Sequence, residues 1–463
     1  MNRRRGVALV SVLWVLAILS VMGLGFAMTV RVYGELVDNR VLKAQAQGLA
    51  RTGMEMAFEL YYAGQAEGRT YNASNDEWMA FSSEDIDHEL ADGTYSIRVV
   101  DEAGKLNVNL AEQEHLYALI GDEDVAAAIM DWRDGDDDSS LGGAESFYYE
   151  ESDPPYRARN GRFRSIGELA LVQGITSEML WGPDEDQYRE RRPEEIRGLA
   201  DLLTVIAIDS NHSSSTGNPR ISLNTASEQE IEEALSGVIA EGSIQSIIDY
   251  RRQRTTRAQP QDGQTGAPPL QVPGELQPPT GGGGFGGGGP VGIRQFDPTQ
   301  GGFDPTQGME GPQQPGQAGE EEEAQQAFAS TGELINVPSL SDEDIQAIWD
   351  LVTAESAGVI EGRININTAP QEVLASVIDA DLAQEIIEYR TSRGPLPTVA
   401  HLLSVDPSVR ANFVELANLL TTRSYVFTIE ATGRAGRDEI THRIRAVVDL
   451  SGDEPNYLMI CHY

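Results

Sequence analysis

The chain has little of what disulfide-linked and zinc-bound folds need, and it is poor in positive charge. Its single cysteine, Cys461, excludes an internal disulfide, and its six histidines provide no zinc cluster with the required ligand spacing. Lysine and arginine number 34 against 73 aspartate and glutamate residues, which gives a net charge of −39. Such a charge keeps a protein soluble and repels nucleic acid and anionic lipid surfaces. It also suits calcium, which binds carboxylate oxygens.

The sequence also lacks the residue sets of common catalytic sites. It contains no evident nucleophile–base pair, phosphate loop or pair of catalytic carboxylates. The glycine run 281–289 does not have the pattern of a nucleotide-binding loop between a strand and a helix. We therefore predict that the protein is not an enzyme. Its 463 residues leave room for two or three domains.

One long apolar run follows a short basic segment at the N-terminus. Arg3, Arg4 and Arg5 precede the uncharged residues 7–30, which would form a helix of about 36 Å that can cross a bilayer. Because positive flanks stay in the cytoplasm, we expect a cytoplasmic N-terminus and export of the bulk of the chain. The run has no signal-peptidase site at its far end, and the clearest processing point is the Gly6-Val7 bond. An ordinary single-pass anchor would contain the same helix.

Strand patterns at both ends of the chain enclose a helical middle. The N-terminal helix should continue to about Tyr62, and residues 93–101 alternate as a strand does. Residues 425–431 and 439–449 predict a hairpin with its turn at 433–438. The sequence thus predicts an α+β fold, in which a small antiparallel sheet is interrupted by a large all-helical insertion. The predicted domains are the long helix 7–62, the first part of the sheet domain 63–104, the insertion 105–422 and the last strands 423–463.

The predicted insertion contains a threefold repeat. Three similar segments, 106–111, 221–226 and 364–369, are each followed by two predicted helices, and the second helix has an aromatic–arginine pair near its end. The last asparagine of each segment, or the threonine after it, is a natural helix N-cap. The predicted units cover 105–203, 220–354 and 363–422. Unit two includes the tract 258–326, rich in Gly, Pro and Gln, for which we predict disorder.

The repeats resemble helix-hairpin-helix units, many of which bind DNA through backbone amides of the hairpin and nearby basic residues. The hairpins of this chain have carboxylates at those places, as in Asp122–Asp124 and Asp379–Asp381. We therefore expect packing modules and no nucleic acid as a partner. A membrane-anchored DNA receptor is the alternative, and retention of DNA at low salt would support it.

An acidic loop follows the second helix of unit one. Asp134, Asp136, Asp137 and Asp138 surround Gly135, and Glu145 follows two further glycines. Oxygen ligands crowded around glycines in a long loop suit a hard cation such as calcium. The loop does not have the residue order of an EF-hand, and spacing alone leaves a solvated acidic loop as the alternative.

Several stretches resemble the type II secretion minor pseudopilin K family. Residues 6–11 are similar to the class III signal of type IV pilins and pseudopilins, and residues 131–156, 163–174 and 364–374 are similar to stretches of pseudopilin K. The resemblance implies a helical domain that is inserted into a pilin-like sheet and binds calcium. Carried onto this chain, it implies calcium ligands at Asp134, Asp136, Asp137 and Glu145, with Asp138 as a further candidate.

The resemblance also implies a place in a machine. It indicates a tip subunit of the periplasmic pseudopilus, anchored in the bacterial inner membrane, that initiates or caps assembly and supports protein export across the outer membrane. A prepilin peptidase would cut between Gly6 and Val7, leaving Val7 methylated. Ser11 stands where major pilins and most pseudopilins have a glutamate that meets the neighbouring subunit. The implied partners are the minor pseudopilins of types I and J and inner-membrane lipid.

Three features depart from the family: the third repeat unit, the Gly/Pro tract and the lack of a cysteine pair. A minor pilin of a type IV pilus is the closest alternative to the type II secretion function.

Overall fold

Helix α1 (Arg3–Ala66) contains both the membrane candidate and one side of a core. Its large apolar side chains between Val10 and Val41 are about half exposed or more. Within the described residues, Val10–Ala66 is the one helix that is long and apolar enough to cross a membrane. Further along, apolar residues at helical spacing are buried, namely Ala46, Leu49, Ala50, Met54, Ala57, Phe58 and Tyr61. The predicted long apolar helix is confirmed, and it ends at Ala66 rather than near Tyr62.

The computed structural model describes residues 3–82, 86–91, 93–182, 198–213, 215–257, 327–356, 358–436 and 440–462, with the backbone alone at 3–9, 256 and 257. Residues 1–253 and 327–463 form one compact unit, and residues 254–326 are a second unit that is described only at its helical start. The tract 258–326, for which the sequence predicts disorder, lies outside the described residues.

A five-stranded antiparallel sheet packs against the second half of helix α1. In spatial order its strands are β1 (His88–Leu90), β2 (Gly93–Asp101), β11 (Val426–Ala435), β12 (Ile440–Asp449) and β13 (Asn456–His462). Strands β2 and β11 lie side by side, with Asp101 opposite Phe427, although the whole helical part separates them in sequence. The predicted combination of a long apolar helix and an antiparallel sheet is therefore confirmed.

The hairpin of β11 and β12 is longer than the sequence predicts. Gly433, Arg434 and Ala435 are placed by the sequence in the turn, but they belong to β11 and pair with β12. Helix α1 crosses the strand here, and a Cβ on Gly433 would lie 2.0 Å from the carbonyl oxygen of Ala46. The predicted start of the turn is therefore wrong, because this glycine serves a close approach of helix and strand.

In the described residues between β2 and β11, a short parallel strand pair brings together the two ends of each of the three predicted units. The pairs are β3 (Leu106–Asn107) with β4 (Leu203–Thr204), β6 (Ile221–Ser222) with β7 (Val352–Thr353), and β9 (Ile364–Asn365) with β10 (Leu420–Thr421). One antiparallel pair, β5 (Ile208–Asp209) with β8 (Ile360–Glu361), joins the connections between units.

The described helices after α1 are short. One lies before the sheet, and the others belong to the units. They are α2 (Glu77–Phe81); α3 (Gln113–Ile120), α4 (Glu123–Arg133), α5 (Ser146–Glu150), α6 (Ser177–Trp181) and α7 (Leu199–Leu202) in unit one; α8 (Glu228–Leu235), α9 (Glu241–Arg257) and α10 (Asp342–Ile348) in unit two; and α11 (Gln371–Val377), α12 (Ala380–Ser392), α13 (Leu402–Val405) and α14 (Phe413–Leu419) in unit three.

The last asparagine of each repeat segment joins the two halves of its unit. Its side-chain amide donates to a carbonyl oxygen and accepts from the N–H of the same distant residue, at 2.7–3.0 Å. The three pairs are Asn109 with Phe163, Asn224 with Phe328, and Asn367 with Leu396. The prediction of these residues as helix N-caps is wrong, because the caps are Glu112, Ser227 and Pro370. Asparagine suits the observed role since one amide supplies both a donor and an acceptor.

The arginine of each aromatic–arginine pair bonds back to the repeat segment of its own unit. Each guanidinium group donates to backbone carbonyl oxygens there: Arg133 to Val108 and Ala111, Arg251 to Leu223 and Ala226, and Arg390 to Ile366. These arginines therefore tie the second helix of each unit to the repeat segment that precedes the first helix.

Two consecutive carboxylates at the end of β2 fasten the units to the sheet. Asp101 accepts hydrogen bonds from the side chains of Asn365, Thr368 and Ser424. Glu102 pairs with Lys105 at 3.0 Å and accepts from Thr204 of unit one and Thr428 of β11. Burial raises the pKa of Asp101, whereas at Glu102 the effect of burial is outweighed by Lys105 and the hydroxyl donors, which lower the pKa. Unit one, which contains the acidic loop, is thus tied directly to the sheet.

Candidate metal centre

Helix α4 of unit one presents two carboxylates at its C-terminal end. Its N-cap is Asp122, whose Oδ1 accepts from the backbone N–H groups of Asp124 at 3.0 Å and Val125 at 3.2 Å. Asp131 lies in the last turn and is fully buried, and Asp134 is the residue after the helix. Because residues three apart share one face of a helix, the two carboxylates lie on the same side.

The loop after α4 returns to Asp131 because two glycines permit a close approach. The backbone N–H of Ser140 donates to Asp131 Oδ2 at 3.1 Å. A Cβ on Gly143 would lie 2.1 Å from Asp131 Oδ2, and one on Gly142, whose φ is +84°, would lie 2.1 Å from Asp124 Oδ1. Any side chain at these two positions would displace the loop. Its course brings Glu145, which follows them, against the end of α4.

Asp131, Asp134 and Glu145 form a cluster in which each offers a carboxylate oxygen within 4.8 Å of the other two. Asp131 and Glu145 are buried, and Asp134 is half-buried. Among the described residues, Asp134 Oδ1 and both carboxylate oxygens of Glu145 are buried and have no hydrogen-bond partner. Buried carboxylate oxygens without partners are costly, and a cation would compensate their charge.

The electrostatics of the cluster are those of a site built for a positive charge. Burial, together with the neighbouring charges of Asp134, Asp131 and Asp137, raises the pKa of Glu145 to about 7. Burial also raises the pKa of Asp134, with the charges of Asp136 and Asp131 adding to the effect. A bound cation would reverse both shifts, because it favours the ionised form of every carboxyl around it.

The other predicted ligands lie on the outer side of the loop. Asp136, Asp137 and Asp138 are exposed and stand outside the close cluster. Asp136 Oδ1 accepts from the backbone N–H of Asp138 at 2.9 Å. Asp137 Oδ1 accepts from Asn160 Nδ2 at 3.0 Å, and the charge of Asp137 still acts on Glu145. Of the five predicted ligands, the structure thus brings Asp134 and Glu145 together, and the ligand set stays a prediction.

Sequence reasoning missed two polar residues of this region. Asp131 was detectable, since it directly follows the apolar run 125–130 and lies one helical turn before Asp134, and a buried aspartate needs a partner. Asn160 gave no such signal. Its Nδ2 donates to the carbonyl oxygen of Asp136 at 2.6 Å as well as to Asp137, and its Oδ1 is buried without a partner among the described residues. Asn160 therefore ties the end of the long loop to its beginning.

The chemistry of the donor set selects the class of cation. The cluster offers carboxylate oxygens and neither imidazole nor thiolate, so it does not suit zinc or copper. Several oxygen ligands on a long loop suit calcium, which takes six to eight oxygens in a flexible geometry. The residues present therefore fit the calcium ion that the sequence predicts.

The predicted processing and assembly residues lie at the start of helix α1. Gly6 and Val7 have helical backbone, and Ser11 is exposed on the helix surface. Their roles in cleavage and assembly stay predictions.

Comparison with known families identifies the segment that holds the acidic cluster. A family model described as "Type II secretion system (T2SS), protein K" matches residues 101–181, and a helix-hairpin-helix model matches residues 359–421. Residues 101–181 are therefore similar to a domain of this family, as the sequence predicted. The helix-hairpin-helix resemblance is confirmed for unit three.

Two further similarities differ in identity and in the share of the chain that they cover. The type II secretion system protein K of Pectobacterium carotovorum subsp. carotovorum is 35% identical over 83 residues, which are 18% of this chain and 23% of that protein. The chain thus matches about a quarter of the length of this curated relative. A chain of the GspK-GspI-GspJ complex from the type 2 secretion system of enterotoxigenic Escherichia coli is 13% identical with a TM-score of 0.41, covering 94% of this chain and 99% of the other.

Proposed function

We propose that the protein is a minor pseudopilin of a type II secretion system and a tip component of its periplasmic pseudopilus. The observation that carries this proposal is the protein K domain at 101–181, fastened through Glu102 to a sheet that packs on a long apolar helix. In this function the subunit initiates or caps assembly and supports protein export across the outer membrane. It acts by binding other subunits and catalyses no reaction.

The first half of helix α1 serves in this proposal as a single-pass anchor in the bacterial inner membrane. Its side chains between Val10 and Val30 are uncharged, mostly apolar and exposed, which suits contact with lipid. Arg3, Arg4 and Arg5 place its start on the cytoplasmic side. The sheet and the helical units then lie in the periplasm.

The partners would be minor pseudopilins of types I and J, packed along the same helix. Leu36, Val37 and Val41 lie beyond the apolar run, and about half of the surface of each side chain is exposed. Exposed apolar residues at helical spacing among charged ones favour packing against other helices. Ser11 has no carboxylate for a subunit above, which agrees with a place at the tip. The prepilin peptidase would act earlier, at Gly6-Val7.

The finer architecture also belongs to the proposal. Residues 7–62, 63–104 and 423–463 would form a pilin-like domain, and residues 105–422 would be its helical insertion. The three short parallel pairs support units at 105–203, 220–354 and 363–422, because each pair joins the two ends of one unit.

Calcium would bind at the cluster in unit one. Asp131, Asp134 and Glu145 would supply ligands from the end of α4 and the returning loop, with Asp136, Asp137 and Asp138 as outer candidates. The ion would neutralise the carboxylates and lock the loop in place. The unpaired oxygens of Asp134 and Glu145 support this assignment.

Co-purification tests the partners and the machine together. The full chain, tagged and extracted in detergent, should retain type I and type J minor pseudopilins when all three are produced together. Val37→Glu should weaken this retention at least about tenfold, because it places a charge on the exposed apolar stripe, whereas the matched variant Asp38→Asn should not.

A deletion strain then decides between the two machines. Loss of the gene should stop secretion of exported proteins and leave type IV pili intact. Unchanged secretion with lost pili would contradict the proposal and support the minor-pilin alternative.

A further inference from the structure

A polar cleft lies where the end of helix α1 approaches the start of strand β11, away from the acidic loop. Its volume is about 530 Å³. Its wall includes Tyr61, Tyr62, Gln65, Arg423 and Tyr425, and its rim includes the loops around Ser213 and Gly452. We call it the Arg423 cleft.

Arg423 is a buried cation that has neutral partners. It is 7% exposed, and its guanidinium group donates to the carbonyl oxygen of Arg69 at 3.3 Å and to the side-chain oxygen of Gln65. Its guanidinium carbon also lies 5.1 Å from the ring centre of Tyr425. Nearby arginines at 69, 220 and 363 each pair with a carboxylate, but within the described part of the chain no carboxylate pairs with Arg423. A buried charge without a counter-charge is costly, so a bound anion would stabilise this arrangement.

Three hydrogen-bond donors of the wall have no partner among the described residues. They are the Nε of Arg423 and the hydroxyl groups of Tyr61 and Tyr62, all three buried atoms. The whole Tyr61 side chain is only 2% exposed. Buried polar atoms are normally satisfied, and three unsatisfied donors on residues of one cleft indicate a ligand rich in acceptor oxygens.

We propose that the Arg423 cleft binds a carboxylate group, which accepts hydrogen bonds from Tyr61 and Tyr62 and neutralises Arg423. A carboxylate is acceptor-only and planar, and the hydrogen bonds that a guanidinium or phenol donates to it are charge-assisted. The cleft is far larger than this group alone and lies within the usual size range of ligand sites, so the carboxylate belongs to a larger molecule or to the end of a peptide.

The rim limits the charge of the ligand. Asp453 also lines the cleft, so a second negative charge on the ligand would be repelled. Serine and threonine hydroxyls around Ser213 offer neutral contacts for the rest of the molecule. The ligand is therefore a monoanion with a polar body.

Calorimetry on the full chain in detergent tests the site with three probes at equal ionic strength: acetate, N-acetyl-Ala-Ala with a free carboxyl terminus, and the same dipeptide as its amide. The two carboxylates should bind saturably and the amide should not. A peptide that binds more tightly than acetate indicates a chain terminus as the source, and equal affinities indicate a small free carboxylate. The double variant Tyr61→Phe/Tyr62→Phe should weaken carboxylate binding about tenfold or more, because it removes two donors.

Tyr117→Phe is the matched control, since it removes the same hydroxyl from an exposed residue of α3. It should bind the carboxylates as the wild type does. The two phenylalanine substitutions keep the aromatic packing, so they separate binding from folding, which circular dichroism checks. Equal binding of the amide and the acid would overturn the proposal. Absence of carboxylate binding, or unchanged affinity in the double variant, would overturn it as well.

Discussion

Units one and three share one scaffold and differ in the segment that follows the second helix. In both units an asparagine joins the two halves, an arginine returns to the repeat segment, and a parallel strand pair brings the ends together. Unit one continues after α4 with a long loop that holds the acidic cluster. Unit three goes from Ser392 to the buried Leu396 through a tight connection that contains Gly394, with φ +103°.

This difference shows that the contacts that fold a unit are separate from the residues that could bind a ligand. The shared contacts are made to backbone atoms, so they tolerate changes of the surrounding side chains. The carboxylates of unit one lie at the end of α4 and in the loop, and unit three has no counterpart of that loop. The proposed calcium site would therefore be an addition to such a unit that leaves its frame unaltered.

The largest expected effect concerns the shared asparagine. Asn367 is 2% exposed, whereas Asn109 is half-buried beside an open cleft of about 590 Å³. We expect Asn367→Ala to lower the free energy of unfolding by about 2–4 kcal/mol, because it leaves the N–H and carbonyl of Leu396 without partners. Asn109→Ala should cost about 1 kcal/mol, since water can replace the amide.

Urea unfolding followed by circular dichroism measures both values. The exposed residue Asn218 supplies the control variant, Asn218→Ala, which should change stability by less than about 0.5 kcal/mol. Equal costs at Asn367 and Asn109 would show that burial does not distinguish the two units.

Calcium should stabilise unit one and leave unit three unaffected. At a free concentration of a hundred times the dissociation constant, a ligand that binds only the folded state adds about 2.7 kcal/mol. Asp131→Asn should abolish this gain, because Asp131 is a fully buried member of the cluster. Asp138→Asn should preserve it, because Asp138 is exposed outside the cluster.

Melting curves with and without calcium provide this measurement. If Asp131→Asn responds to calcium as the wild type does, the ligand assignment is wrong. Loss of the response in Asp138→Asn would extend the ligand set to the outer carboxylates.

The pKa of Glu145 predicts a pH dependence of the calcium-free protein. Folding raises this pKa from 4.5 to about 7, so the folded state binds the proton more tightly than the unfolded state. The resulting stabilisation is fully present below about pH 4.5 and is lost as the pH rises through about 7. We expect a loss of about 1–2 kcal/mol across this window, limited by opening of the loop to water.

Glu145→Gln should remove this part of the pH dependence, and calcium should suppress it in the wild type by holding Glu145 ionised. Chelator-treated protein, unfolded in urea at pH 5 and pH 8, gives the comparison. A wild-type profile that Glu145→Gln leaves unchanged would assign the titration to another group.

The smallest effect is expected from a change in the segment that follows the second helix of unit two. Replacing residues 259–326 with a short Gly-Ser linker should change the free energy of unfolding by less than about 1 kcal/mol, because loop length contributes only logarithmically to loop closure. Thermal unfolding measures the change. A loss of cooperative unfolding would mean that the tract belongs to the fold.

The repeat pattern predicted much of the fold, because the spacing of apolar residues in a helix or strand indicates which of its faces is buried. The strand 93–101 has the predicted limits. The asparagines were misassigned, since an N-cap and a long-range amide pair call for the same residue type. Gly433 was misassigned as a turn for a similar reason, because the crossing of α1 is a tertiary contact.

The sequence predicted the location of the candidate site, but only some of the residues that form it. Carboxylates and glycines in one long loop indicated a cation, and Asp134 and Glu145 do meet. Asp131 joins the cluster because the loop folds back over it at Gly142 and Gly143. Asn160 belongs to the region because its side chain bonds to Asp136, which lies 24 residues earlier in the chain. The spacing of residues along the sequence does not predict such tertiary contacts.

The mature N-terminus tests the central claim, that this chain is a pseudopilin, most directly. Mass spectrometry of the protein purified from membranes should find Val7 as the first residue, with a methyl group on its amino nitrogen. Cleavage at Gly6-Val7 would leave the apolar helix on the mature subunit, ready to pack with others. A mature chain that begins beyond residue 30, or one that keeps residues 1–6, would contradict the account.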